Sequence, residues 1–103
     1  MNTLKHVVIT GASSGLGAAL AIRYAAPDIR LSLLGRHQGR LADIATAARN
    51  KGARVTTACV DVTDRTEMEK TLLAWDDEQP VDLAIANAGT SAGTGNVQET
   101  LNQ

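Results

Sequence analysis

Three glycines within seven residues, Gly11, Gly15 and Gly17, follow directly on a β-branched run, His6 to Thr10 (HVVIT). Such a run reads as a buried strand. Beyond the glycines, Leu16, Ala19, Leu20 and Ile22 to Tyr24 predict a helix that ends before Pro27. Strand, glycine turn and helix in that order constrain the chain strongly. Glycine weakens regular structure and is kept where backbone must turn sharply or approach something closely. This turn opens onto a helix N-terminus, where backbone N–H groups lack partners and the helix dipole is positive, so an anion is favoured there. Gly11 turns the chain off the strand, Gly15 lets backbone approach a phosphate group, and Gly17 brings no Cβ between helix and strand. Ser13 and Ser14 are expected to add hydroxyl donors.

The rest of the chain repeats the alternation. Arg30 to Leu34 (RLSLL), Arg54 to Val60 (RVTTACV) and Val81 to Ala86 (VDLAIA) read as further strands. Leu41, Ile44, Ala45 and Ala48 predict a second helix with Gly52 as its stop. Asp64 and Glu67 have capping-box spacing, and Met68, Leu72 and Trp75 mark the inner face of a third. Strands that alternate with helices imply a parallel sheet joined by right-handed crossovers. A length of 103 residues fits one domain. The chain has no Phe and only 2% aromatics, so its core must be built from Val, Leu, Ile and Ala.

A formal net charge of −1 gives no general attraction to nucleic acid or anionic membrane. No apolar run is long enough for a signal sequence or a membrane span, and a cytoplasmic location is the expectation. The single cysteine, Cys59, excludes an intrachain disulfide and a cysteine zinc site, and its apolar setting suggests a buried, inert thiol.

Gly11-Ala12-Ser13-Ser14-Gly15 also fits G-x-S-x-G, the nucleophile elbow of serine hydrolases, which would make Ser13 a nucleophile. That reading needs an acid and then a histidine downstream. The only downstream histidine, His37, precedes every strand-end acid except Asp28, which leaves the hydrolase a remote alternative.

The spacing G-x-x-x-G-x-G in Thr10-Gly11-Ala12-Ser13-Ser14-Gly15-Leu16-Gly17 resembles the glycine motif of the short-chain dehydrogenase/reductase family. The resemblance implies a Rossmann-like doubly wound α/β sheet, here of about four parallel strands in the order 3-2-1-4. It also implies cofactor contacts from Gly11, Ser13, Ser14, Gly15, Leu16 and Gly17. Where such folds place a ribose-binding acid, at the end of the second strand, this chain has Gly35-Arg36-His37. A guanidinium can hold a 2′-phosphate through two parallel hydrogen bonds. Gly35 with Arg36 therefore favours NADP over NAD; Arg40 could assist, and His37 is expected to be solvated. After the third strand, Asp61 and Val62 match the position where similar enzymes hold adenine; the alternative is that Asp61, Thr63 and Asp64 only turn the chain and cap a helix. Ala86-Asn87-Ala88-Gly89 resembles the family's N-N-A-G signature, with Ala86 in place of its first asparagine. Asn87 is expected to bond neighbouring backbone, with the small Ala88 and Gly89 beside the cofactor's ribose. The matches run in order up to Gly89, each at the carboxyl end of a predicted strand.

The family passes hydride between a nicotinamide and a carbonyl or alcohol, using a tyrosine activated by a lysine four residues on and a serine. The only tyrosine here, Tyr24, has Asp28 four residues on and is assigned to packing. The expectation is therefore a partial domain over residues 1–103, the dinucleotide-binding portion of such an oxidoreductase and inactive by itself. A non-catalytic dinucleotide-binding module of the same fold is the alternative. An unpaired fourth-strand edge is expected to drive self-association, unless a flexible tail over residues 90–103, with a possible helix from Val97 to Leu101, covers it.

Overall fold

The computed structural model describes residues 4–61 and 63–87. Within them the chain forms β1 (His6–Thr10), α1 (Gly15–Tyr24), β2 (Arg30–Gly35), α2 (Gln38–Asn50), β3 (Arg54–Cys59), α3 (Arg65–Glu78) and β4 (Leu83–Ala86). The strands are parallel and lie in the order β3-β2-β1-β4, the expected 3-2-1-4. Thr10 pairs with Leu34 on one side and Ala86 on the other, and Gly35 with Cys59, so the carboxyl ends of all four strands share one edge.

Side-chain alternation splits the core in two. Val7, Ile9, Leu31, Leu33, Val55 and Ile85 point to the face covered by α1 and α2, where they meet Ala21, Leu41, Ala45 and Ala48. Val8 and Leu34 point to the opposite face, where Trp75 of α3 packs on them with Val60. Burial on both faces explains why β1 and β2 read as continuous runs. β3 lies at the edge of the sheet and alternates instead.

Helix ends follow the local sequence. Asp64 accepts a hydrogen bond from the Glu67 N–H at 3.2 Å, the expected N-cap of α3. Past α2, Gly52 at φ +100 lets its own N–H reach the Arg49 carbonyl and the Ala53 N–H reach the Ala48 carbonyl. That pair of bonds is a Schellman stop. Between α1 and β2 the chain turns at Pro27 and Asp28, closed by the Ile29 N–H on the Ala26 carbonyl at 3.2 Å. Asp28 takes φ 72, the left-handed position that a type II turn with proline before it demands.

The buried residues of α1 are Gly17 and Ala21, with Leu20, Ile22 and Tyr24 partly buried on the core, whereas Leu16 is 48% exposed. Two expectations change. β4 begins at Leu83, because Asp82 turns back to accept from the Lys5 and His6 N–H groups at 2.8 and 3.0 Å. Cys59 is exposed rather than buried, because it ends an edge strand.

The amino ends of the strands carry a buried polar chain. His6 Nδ1 lies 2.7 Å from the Gln79 carbonyl, which can only accept, so a neutral ring carries its proton there. Nε2 then accepts from the Ser32 hydroxyl at 2.7 Å, and Ser32 accepts from Thr56 at 2.8 Å. Arg30 adds an ion pair to Glu78 at 2.7 Å. These bonds hold the end of α3 at the edge of the sheet farthest from the glycine turn.

Candidate functional site

The site is the carboxyl edge of the sheet, and the turn from β1 to α1 is its centre. Gly11 takes φ +67, and a Cβ there would overlap the Asn87 carbonyl oxygen. A Cβ on Gly17 would overlap the Gly11 carbonyl oxygen and stand 2.8 Å from Ala12 Cα. Both glycines are therefore demanded by the protein's own packing. Gly15 is different, because a Cβ there would meet nothing within 4 Å. The fold does not require glycine at 15, whereas close approach of an external group would.

Ser14 is the N-cap of α1, accepting from the Gly17 N–H at 3.3 Å. Its own hydroxyl proton goes to the Gly11 carbonyl at 2.8 Å, so Ser14 holds the turn in shape from within. Asn87, 3% exposed just past β4, donates through Nδ2 to Ser14 Oγ at 2.8 Å and to the Gly11 carbonyl at 3.3 Å. The expected contact of Asn87 with neighbouring backbone is thus a latch across the sheet onto the glycine turn. With these groups engaged, the N–H groups of Gly15 and Leu16, both exposed residues, have no acceptor among the described residues. They stand in the first turn of α1, at the positive end of its dipole. Ser13 is 8% exposed, and a Cβ on Gly35 would stand 2.7 Å from its Oγ, so Gly35 makes room for Ser13 at the end of β2.

Arg36 and Asp61 leave neighbouring strands and meet. Arg36 Nη1 lies 3.8 Å from Asp61 Oδ2, with their side chains 62% and 47% exposed. The backbone beneath is fixed: the Val60 N–H donates to the Gly35 carbonyl at 2.9 Å, and Cys59 Sγ donates to the Arg36 carbonyl at 3.2 Å. Asp61 Oδ1 accepts from the Thr63 N–H at 2.9 Å and the Thr63 hydroxyl at 2.8 Å, an Asx turn leading into α3. These two bonds first, and then Arg36, hold the Asp61 carboxyl below its ordinary pKa. It is therefore ionised at neutral pH.

Gly11, Ser13, Ser14, Gly15, Leu16, Gly17, Gly35, Arg36, Asp61 and Asn87 all lie along this one edge. Val62, Ala88, Gly89 and the tail over residues 90–103 lie outside the described residues. Two features had no signal in the sequence. Asn87 and Ser14 are 73 residues apart, and the approach of Arg36 to Asp61 depends on β2 and β3 pairing in register. His37 is exposed, as expected, and Arg40 is exposed on α2.

The family model described as short chain dehydrogenase matches residues 5–103. An uncharacterized oxidoreductase of Staphylococcus saprophyticus is 37% identical over 87 residues, covering 82% of this chain and 37% of that protein. Among solved structures, L-sorbose reductase from Gluconobacter frateurii, complexed with NADPH and L-sorbose, superposes with a TM-score of 0.74 at 31% identity. That match covers 85% of this chain and 34% of the reductase. An NADH-dependent reductase complexed with NAD gives a TM-score of 0.72 at 26% identity, over 87% of this chain and 38% of that one. The chain thus spans well under half the length of each of these proteins. A match that begins at the first strand and takes in the glycine turn, together with a parallel sheet in the order 3-2-1-4, makes this chain a member of the short chain dehydrogenase family with a Rossmann-like fold.

Proposed function

We propose that the chain binds a nicotinamide dinucleotide along the carboxyl edge of its sheet, prefers NADP, and serves as the dinucleotide-binding portion of a carbonyl or alcohol oxidoreductase. The observation that carries this reading is the pair of N–H groups at Gly15 and Leu16, without acceptors among the described residues, beside open space at Gly15. A diphosphate fits donors of that kind at a helix N-terminus. The half-exposed Leu16 side chain would lie beside it. Arg36 at the end of β2, in a stretch from Leu34 to His37 without a carboxylate, supports a 2′-phosphate over a free ribose hydroxyl. Asp61, Val62, Asn87, Ala88 and Gly89 complete the proposed lining towards adenine and ribose.

When bound, the dinucleotide supplies the hydride chemistry. The residues of this chain bind and orient it. Tyr24 is half-buried in α1 against the core, so the acid–base step is not assigned to it, and no turnover is expected of these 103 residues by themselves. Support for Ser13 as a hydrolytic nucleophile is missing as well. His6 spends both ring nitrogens on Gln79 and Ser32 at the opposite edge of the sheet.

The test is a titration with NADPH and NADH, repeated on Arg36→Ala. NADPH binding is expected to weaken by about 1.5–3 kcal/mol, the range for hydrogen bonds to a charged group, with little change for NADH. Equal losses for both would remove the case for NADP. The reading also carries self-association through β4, an edge strand among the described residues with Ala84 and Ala86 exposed, or cover of that edge by residues 90–103. Light scattering is expected to report a dimer or larger species, unless the tail covers the edge. A monomer whose tail moves freely by NMR would refute both forms.

A further inference from the structure

We propose that Asp61 is a specificity-determining residue, which sets the balance between NADP and NAD by holding Arg36 and competing with a 2′-phosphate for it. The inference rests on the dinucleotide reading above.

The geometry makes Asp61 a tether rather than a clamp. A separation of 3.8 Å between Nη1 and Oδ2 is an ion pair but too long for a hydrogen bond. Nε and Nη2 of Arg36 make no bond among the described residues, so the guanidinium fork stays available. The carboxylate itself is fixed. Thr63 holds Oδ1 with two hydrogen bonds, which turns Oδ2 towards Arg36 and keeps the group charged. Thr63 is thus a positioning residue for this effect.

A 2′-phosphate brings close to two negative charges. To take the guanidinium in a bidentate grip it must share it with Asp61, so part of the Arg36–Asp61 attraction is given up when the phosphate binds. A ribose hydroxyl carries no charge and meets no such cost, so Asp61 lowers NADPH affinity relative to NADH. Both side chains are substantially exposed, so the effect is that of an exposed pair, modest and screened by salt.

The experiment titrates the full 103-residue protein and its Asp61→Asn, Arg36→Ala and doubly substituted forms with NADPH and NADH, at low and high salt. Asparagine keeps one oxygen for the Thr63 turn and puts an uncharged amide NH2 in place of Oδ2, and any effect of that change on adenine falls on both cofactors alike, so the readout is the ratio of the two affinities. Circular dichroism confirms that each variant is folded. Asp61→Asn is expected to move the ratio towards NADPH by roughly two- to fivefold at low salt, less at high salt, and not at all on the Arg36→Ala background. An unchanged ratio in Asp61→Asn, with Arg36→Ala still selectively weakening NADPH, overturns this inference and leaves the NADP reading intact. An equal shift on both backgrounds also overturns it, because Asp61 would then act on the phosphate directly. If Arg36→Ala leaves NADPH binding unaltered, the NADP reading fails and the inference with it.

Discussion

Gly11→Ala is expected to destabilise the protein by about 2–5 kcal/mol, the largest effect of any single change in the glycine turn. Two independent costs add. Alanine at φ +67 occupies the left-handed region, and its Cβ would overlap the Asn87 carbonyl oxygen. Neither partner can yield cheaply. Gly11 is held by Ala12, whose N–H bonds the Leu34 carbonyl at 3.0 Å, and Asn87 is held by its own bonds to Ser14 and Gly11. Moving them apart separates β4 from the turn. Gly15→Ala is the contrasting case. Its Cβ enters open space at the first residue of α1, where alanine is the better helix former, so stability is expected to hold or rise by less than about 1 kcal/mol. NADPH affinity is expected to fall at least roughly tenfold, because the new methyl group stands where a phosphate would approach. Urea unfolding and a binding titration on both variants check the pair. A stable Gly11→Ala, or a Gly15→Ala that binds normally, would contradict the division of labour between the two glycines.

Trp75→Ala is expected to cost about 3–5 kcal/mol, a large share of the stability of a small domain. Trp75 is the one buried residue of α3 among the described residues and packs against Val8, Leu34 and Val60 on the face that α1 and α2 do not reach. Met68 and Leu72 are only partly buried beside it and cannot fill the space it leaves. The end of α3 would still be tied by Arg30 to Glu78 and by His6 to the Gln79 carbonyl. The expected result is therefore loosening of the helix start, with faster amide exchange over residues 65–75 than over α1 and α2. Because the Asx turn at Asp61 leads into that start, the Arg36–Asp61 contact should loosen as well. A loss below about 1 kcal/mol in urea, outside the range for emptying a buried aromatic site, would show that α3 is held by its polar end instead.

Much of this was legible in the residues themselves. Alternation of β-branched runs with helical spacing is written in near neighbours, and it predicts four strands, three helices and a parallel sheet because each period depends only on local backbone geometry. The glycine spacing is local in the same way, and so are Gly52 after α2 and Asp64 before α3. These elements appear as expected. The glycine spacing pointed to Gly17 as the close approach of α1, but the sequence could not show that Ala21 would be the other buried residue of the helix or that Leu16 would be left half-exposed. Nor could it show that the edge position of β3 would leave Cys59 exposed.

The chain's own order of residues therefore determined its fold class, the place of the glycine turn, and Arg36 as the cation at the end of the second strand. Tertiary structure decided the partners: Asn87 latched to Ser14 and Gly11, Gly35 opened for Ser13, and Asp61 facing Arg36. The physical reason is one of range. Secondary structure follows from spacing between neighbours. Contacts along the sheet edge exist only once strand order and register bring residues from four distant segments side by side.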